Sequence, residues 1–301
     1  MVENGLARGL WGVVATPFRG PAAALDEDGL AALVQRYEAM GAVGLTVLGV
    51  FGEAASLDEQ ERRAVLKTVA DAVALPLVVG VTSLSTAPAC AEVAVIQDVL
   101  GSRLAAAMVQ INSPSSATVA THLTAVHRQT GADLVMQNYP VASGVSIAVR
   151  EECAVVDAAE GLVAVKEEAA PTAARIAALC AMTELPVFGG LGGIGLIDEL
   201  ELGAAGAMTG FSYPEALIAT VERHQEDGFA GARETLAPYL PLINFEQQPG
   251  IALAIRKACL VRRGFIEEST VRAPAQPLPA EFRRLVDAHV DAVEQLRSDL
   301  R

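Results

Sequence analysis

A lysine at the end of a short apolar segment is the residue of this sequence best suited to covalent chemistry. In a strand, period-2 alternation would place Leu162, Ala164 and Lys166 on one face. Burial among apolar side chains makes the neutral amine of a lysine accessible near pH 7, and a neutral amine is the nucleophile that forms a Schiff base with a carbonyl carbon. The alternative is an ion pair with Glu167 or Glu168, and this segment alone does not separate the two interpretations.

The chain offers few competitors for this role. Only three of its 22 Lys and Arg residues are lysines. The other two, Lys67 and Lys257, fall in segments with an amphipathic helical pattern, which predicts solvent-exposed charges. Lys166 is therefore the candidate nucleophile.

Other catalytic patterns are weak or missing. The four histidines lie on predicted helices without a matching carboxylate or cysteine spacing, so we expect no metal site. The chain has no Gly-x-Ser-x-Gly motif, which excludes the usual serine hydrolase pattern. Gly190, Gly192 and Gly195 satisfy G-x-G-x-x-G, a motif typical of dinucleotide or phosphate sites, but it occurs late in the chain. If the chain folds as a barrel of parallel strands, phosphate could bind there, after the last strands. A phosphate-binding barrel is therefore an alternative.

Short apolar runs alternate with helical patterns up to about residue 228 and must position these residues. The predicted strands are 10–16, 45–48, 76–80, 105–111, 134–137, 162–166, 186–190 and 206–209. Predicted helices between and after them are 27–40, 58–73, 86–100, 118–130, 148–159, 172–182 and 214–227, and then 230–243, 250–263 and 280–300. Eight strands with helical crossovers predict an α/β protein, a (β/α)8 TIM barrel of residues 1–228 with a C-terminal helical extension of residues 229–301.

Composition narrows the function further. The net charge of −14 repels phosphate backbones and anionic bilayers, so we expect neither nucleic acid nor membrane as a partner. The long uncharged stretch of residues 72–91 contains prolines and glycine and is not typical of a membrane span. Four widely spaced cysteines are typical of reduced thiols, which predicts a cytoplasmic protein.

Four motifs carry a resemblance to a known family: residues 12–18 (GVVATPF), 49–57 (GVFGEAASL), 137–144 (QNYPVASG) and 165–167 (VKE). In order and spacing the chain resembles the pyruvate-dependent Schiff-base aldolases, the superfamily that includes dihydrodipicolinate synthase and N-acetylneuraminate lyase. The resemblance covers nearly the whole chain. It implies that Lys166 forms an imine with a 2-keto acid, that the loop after strand two holds the substrate carboxylate, and that no metal or organic cofactor takes part. It also implies a homo-oligomer, either a dimer or a tetramer.

The chain differs from this family at the residues that transfer protons and at those that bind the substrate carboxylate. Val50 and Phe51 replace two hydroxyl residues of the loop, so the backbone N–H groups of that loop would have to hold the carboxylate. Gln137 stands where the family has its acid/base tyrosine, and an amide does not exchange a proton near neutral pH. Tyr139, two residues further on, would point to the same side of an extended strand and is the candidate substitute. The alternative is that Tyr139 packs under the following loop.

Substrate recognition departs as well. Ala142 replaces the arginine that the resemblance implies for dihydrodipicolinate synthases, so we do not expect that activity. Gly190 lies where sialic acid lyases place acidic residues, which leaves only backbone contacts for a substrate there. Thr16 and Ser143 are candidates to add hydroxyl groups. The replaced loop residues and Leu191 favour a second substrate of modest polarity.

The sequence thus predicts a Schiff-base lyase, an aldolase or a dehydratase, with Lys166, Tyr139 and Gln137 as its catalytic residues. A 2-keto acid is the expected small-molecule partner. The alternative is a barrel that binds or senses keto acids and has lost efficient turnover, since the usual acid/base group is missing.

Overall fold

The computed structural model describes residues 5–299 and shows a closed barrel of eight parallel strands. Numbered β1 to β8, the strands are Gly9–Val13, Gly44–Val47, Leu77–Gly80, Leu104–Gln110, Leu134–Asn138, Leu162–Glu167, Val187–Gly189 and Gly206–Thr209. Consecutive strands pair in parallel, and β8 closes the barrel on β1. The predicted (β/α)8 TIM barrel is confirmed, and every predicted strand overlaps an observed one.

Helices connect the strands on the outside of the barrel. Numbered α1 to α8, they are Glu27–Met40, Glu59–Ala72, Thr86–Leu100, Ser116–Thr130, Val149–Ala158, Thr172–Cys180, Leu196–Glu201 and Pro214–Leu236. The sequence analysis missed α7, which has only six residues, and a small hairpin that pairs Phe18–Arg19 with Ala24–Leu25. Elements this short carry too few residues to show a hydrophobic period.

Local side-chain chemistry fixes the helix that follows the loop after β2. Asp58 accepts a hydrogen bond from the Glu61 N–H at 2.8 Å, and the Glu61 carboxylate accepts from the Asp58 N–H at 3.1 Å. This reciprocal capping box satisfies two backbone donors that a helix start leaves without a partner. The loop before α2 therefore ends at a defined residue.

The barrel interior contains one of the three hydrophobic clusters. Ala164 of β6 lies in it with residues such as Trp11, Met108 and Phe188, and Lys166 follows two residues later at the open end of the barrel. Leu162 instead packs against the cluster outside the barrel, because the β5–β6 register shifts between Leu162 and Ala164. The prediction that Leu162 shares the face of Ala164 and Lys166 was therefore wrong for Leu162.

Three further helices follow the barrel: α9 (Leu240–Glu246), α10 (Ala252–Arg262) and α11 (Arg283–Asp299). Their apolar residues share a cluster with Leu10 of β1 and Ala207 of β8, so they pack directly on the barrel. The single predicted helix 230–243 was wrong. The chain kinks at Gly228, where φ is 65°, and α8 ends at Leu236 before a 3₁₀ turn, Ala237–Tyr239, that contains Pro238.

The predicted boundary at residue 228 coincides with this kink, but the division into two domains stays a prediction. Residues 1–4 and 300–301 of the two predicted units lie outside the described residues.

Candidate active site

A cavity of about 570 Å³ opens at the carboxyl ends of the barrel strands, which is where the active sites of such barrels lie. Five of the residues singled out from sequence line it together: Lys166, Gln137, Tyr139, Val50 and Phe51. Three others, Thr16, Ser143 and Gly190, do not line it. The structure thus gathers the candidate catalytic residues and the loop after β2 around one space.

Lys166 forms an ion pair in this cavity with a carboxylate two residues further along the chain. Its Nζ lies 3.0 Å from Glu168 Oε2, and the two side chains are only 6% and 7% exposed. Of the two pairings considered from sequence, the one with Glu168 occurs and the one with Glu167 does not. A buried charge pair of this kind is costly to separate, because removing one partner leaves an uncompensated buried charge.

Gln137 and Gly190 determine where Glu168 lies. Gln137 Nε2 donates to Glu168 Oε2 at 2.8 Å, and the Leu191 N–H donates weakly to Oε1 at 3.4 Å. A Cβ atom on Gly190 would lie 2.2 Å from Glu168 Oε1, so only glycine leaves room for this side chain. Gly190 contributes to the site through the space that it leaves.

Tyr139 is half-buried and lines the same cavity as Gln137, as the alternation along β5 predicted. Its hydroxyl group has no hydrogen bond to any other described residue. Burial and the nearby negative charge of Glu168 raise the pKa of Tyr139 above its usual value of 10. Tyr139 is therefore a weak proton donor at neutral pH.

The loop after β2 lines the cavity and contains backbone donors without an acceptor among the described residues. Within residues 5–299 the N–H groups of Val50 and Phe51 have no protein acceptor, while the neighbouring Glu53 and Ala54 N–H groups donate back into the loop. The Thr16 hydroxyl donates to the Gly52 carbonyl at 2.6 Å and ties β1 to this loop. Two adjacent free N–H groups can hold a carboxylate without any side-chain hydroxyl.

A buried ion pair anchors this loop from the other side. Glu53 binds the ammonium group of Lys257 on α10 and also accepts the Arg272 N–H at 2.8 Å. Lys257 is 0% exposed, and burial lowers the pKa of its amine. The prediction of a solvent-exposed Lys257 was wrong, because α10 lies on the barrel mouth rather than in solvent. Lys67 is 72% exposed, as predicted.

Behind the cavity, the ends of β5 and β6 are joined by a buried polar cluster. Asn138 Nδ2 donates to Glu167 at 3.1 Å and to Glu152 at 3.2 Å, and Arg175 bridges the same two carboxylates. Burial and the charge of Glu167 raise the pKa of Glu152 well above its usual value. The cluster fixes the backbone on either side of Lys166.

Ser143 belongs to the loop rather than to the cavity. It ends a single helical turn, Pro140–Ser143, and its hydroxyl donates to the Tyr139 carbonyl at 3.3 Å and accepts the Val145 N–H at 3.2 Å. Its role is to close the turn that carries Tyr139. Neither Ser143 nor Thr16 lines the cavity.

Sequence reasoning missed the cavity residues of the C-terminal extension, among them Arg256 and Gln247. Arg256 of α10 lies over the Phe51 ring at 4.6 Å and donates to Glu246 at 3.1 Å. Gln247 lies beside it near Gly192, with its amide nitrogen buried and unpaired. The available signal was the pair Arg256–Lys257 inside an otherwise apolar helix, since two adjacent charges in such a run need buried partners. A cation therefore faces the end of the cavity that was expected to be apolar.

The described residues form neither a metal-binding cluster nor a membrane-crossing helix. Residues 5–299 contain no group of three or more His, Cys, Asp or Glu side chains arranged to hold a metal ion. None of the described helices has the length and apolarity needed to cross a bilayer.

Comparison with known proteins agrees with the fold. The family model of the dihydrodipicolinate synthetase family matches residues 6–293. A 4-hydroxy-tetrahydrodipicolinate synthase from Xanthomonas axonopodis pv. citri is 30% identical, over 97% of this chain and 94% of its own. An L-2-keto-3-deoxyarabonate dehydratase from Azospirillum brasilense is 27% identical, over 92% and 91%.

Among solved structures, dihydrodipicolinate synthase from Rhodopseudomonas palustris superposes with a TM-score of 0.87 at 27% identity, over 95% of this chain and 97% of its own. The fold and the lysine-bearing cavity thus define a (β/α)8-barrel enzyme, a class I lyase. The chain belongs to the dihydrodipicolinate synthetase family.

Proposed function

We propose that the protein is a Schiff-base-forming lyase that acts on pyruvate or a larger 2-keto acid through Lys166. The observation that carries this proposal is the placement of Lys166, the one lysine among those of the described chain that lines the cavity at the strand ends. Lys67 is in solvent and Lys257 is held by Glu53. The nucleophile therefore has a single candidate.

The proposed reaction begins with attack of the Lys166 amine on the ketone carbon C2 of the substrate. Loss of the ketone oxygen as water leaves a protonated imine, which withdraws electrons from C3. Cleavage of a carbon–carbon bond or loss of a hydroxyl group then follows from the same intermediate. Relatives named as a synthase and as a dehydratase support a family in which both outcomes occur.

We assign the substrate carboxylate to the N–H groups of Val50 and Phe51. These donors are free within the described chain, and they adjoin a loop that Thr16 and Lys257 hold in place. The carboxylate would fix C2 in front of Lys166, and such positioning accounts for much of the rate gained by an enzyme. Ala142 lines the cavity where the resemblance implies an arginine, so we propose an activity other than dihydrodipicolinate synthesis.

Gln137 and Tyr139 are proposed to contact the reacting part of the substrate, because both line the cavity beside Lys166. Thr16, Ser143 and Gly190 are proposed to shape the site indirectly. We further propose that the protein is cytoplasmic and that it forms a homo-oligomer. Light scattering on the purified full chain would test the oligomeric state.

Borohydride trapping tests the proposed function. The wild-type protein is incubated with pyruvate and with a set of larger 2-keto acids, reduced, and examined by intact mass spectrometry. We expect a single adduct that is absent from Lys166→Ala and retained in Lys67→Arg, which is the matched control on an exposed lysine.

Two other results would contradict the proposal. An adduct that persists in Lys166→Ala would move the nucleophile elsewhere. No adduct with any keto acid would contradict the lyase outright. An adduct without turnover of any substrate would favour the alternative, a barrel that binds or senses keto acids.

A further inference from the structure

We propose that Glu168 is the acid/base residue of this site and moves the protons of imine formation and of C3 deprotonation. This inference rests on the proposed function, since it needs a keto acid bound to Lys166. It fills the role left open by Gln137, an amide that lies where related enzymes are implied to have a tyrosine.

The first support is the position of the Glu168 carboxylate relative to the atoms that would react. Its Oε2 lies 3.0 Å from Lys166 Nζ, within the reach required of a general acid or base. In the imine, Nζ is bonded to C2, and both the departing oxygen and C3 are bonded to C2. A carboxylate beside Nζ is thus close to each atom that must gain or lose a proton.

The second support is that Glu168 is not held in an ion pair with any cation other than Lys166, so its carboxylate can accept a proton during the reaction. Two acidic residues line the described cavity, Glu53 and Glu168. Glu53 is bound by the ammonium group of Lys257 and by the Arg272 N–H. The one cation paired with Glu168 is Lys166, and that charge changes when the imine forms.

The third support is that neighbouring groups orient Glu168 without replacing it. Gln137 donates to Oε2 at 2.8 Å, while Oε1 faces the open side created by Gly190 and receives a weak 3.4 Å bond from the Leu191 N–H. A conformation held by a fixed donor and by a glycine is what a positioned acid/base group requires. Tyr139 is less suited, because burial and the charge of Glu168 raise its pKa.

The proton balance closes with these groups alone. The Lys166 ammonium passes one proton to Glu168, and the neutral amine attacks C2, which gives a carbinolamine. Glu168 then returns that proton to the former ketone oxygen, which becomes a hydroxyl group. It next takes a second proton from the nitrogen and gives it to this hydroxyl group, so the C–O bond breaks and water leaves. The products are a protonated imine and a Glu168 carboxylate, which then takes a proton from C3 to give the enamine and the carboxylic acid.

Exchange of the pyruvate methyl protons tests this proposal separately from imine formation. Exchange into deuterated water is followed by proton NMR for the wild type, Glu168→Gln, Glu168→Asp and the exposed control Lys67→Arg, and end-point borohydride trapping is run on the same samples. For Glu168→Gln we expect the Lys166 adduct to form on long incubation while exchange falls by at least about 100-fold. Glu168→Asp should recover part of the exchange, and Lys67→Arg should retain it.

Chemical rescue adds a readout that a purely structural role would not move. The cavity left by Glu168→Ala should admit formate, so exchange should rise with sodium formate and not with equal sodium chloride. Circular dichroism would show that each variant is folded before it is compared.

Two results would overturn the proposal while leaving the lyase intact. The first is exchange in Glu168→Gln within tenfold of the wild type, which would make another group the base. The second is loss of both adduct and exchange in Glu168→Gln with no recovery in Glu168→Asp or with formate, which would assign Glu168 to holding Lys166. Failure of the wild type to form any adduct would instead reject the proposed function itself.

Discussion

The buried pair between Glu53 and Lys257 is expected to make a large contribution to the stability of the barrel mouth. Lys257→Met removes an ammonium group that is 0% exposed, binds Glu53 and the Thr270 carbonyl, and lies 4.3 Å from the Phe18 ring centroid. Removing one member of a buried pair strands the other charge, and this costs about 3–5 kcal/mol of the free energy of unfolding. We therefore expect a loss of that size.

Urea unfolding followed by circular dichroism measures this loss. Lys257→Met, Glu53→Gln and the double variant form a double-mutant cycle, in which the double variant should lose less than the two single losses combined, by about 1–3 kcal/mol. Lys67→Met is the matched control, because its exposed ion pair with Asp71 should leave the unfolding midpoint nearly unchanged.

The same variant links stability to the site. Because Lys257 holds the loop that carries Val50 and Phe51, Lys257→Met should also weaken keto-acid binding more than it slows the chemical step. A Lys257→Met protein as stable as Lys67→Met, or a cycle without coupling, would refute the assignment of Lys257 as a buried anchor.

Three further predictions concern groups around the site. Burial raises the pKa of Glu199 from 4.5 to about 7, so the folded protein loses stability as pH rises through that window and the buried carboxyl group has to ionise. In urea unfolding between pH 4.5 and 7.5, the free energy of unfolding of Glu199→Gln should therefore gain up to about 3 kcal/mol relative to the wild type. Arg175→Met should destabilise the fold strongly, whereas Glu152→Gln should cost less free energy of unfolding, because burial and the charge of Glu167 already disfavour the charged form of Glu152 and raise its pKa. Gly190→Ala should displace the Glu168 carboxylate and lower the proton-exchange rate at least tenfold, and it should also lower the thermal midpoint because the buried ion pair with Lys166 is disturbed.

The barrel was predictable because its signal is repeated. Eight apolar runs with helical patterns between them fix a closed parallel sheet without any long-range information. The alternation rule also placed Gln137 and Tyr139 in one cavity. It failed at Leu162, where a shift in strand pairing changes the face, since register depends on the neighbouring strand.

The surroundings of the site were less predictable, because they come from distant segments. Arg256 lines the cavity and Lys257 binds Glu53 only after α10 folds over the barrel. The helical pattern indicates that this pair of charges needs buried partners, but it does not identify those partners. Glu168 was visible as a possible partner of Lys166, but its role depends on the space beside Gly190 and on the donor at Gln137. These are distances between strands, which spacing along the chain does not contain.

The structure of the borohydride-reduced pyruvate complex would test the central claim most directly. The account predicts a covalent bond between C2 of the substrate and Lys166 Nζ, with the substrate carboxylate on the N–H groups of Val50 and Phe51 and Glu168 beside C3. Pyruvate bound without a bond to Lys166, or with its carboxylate turned toward Arg256 instead of the loop after β2, would contradict it.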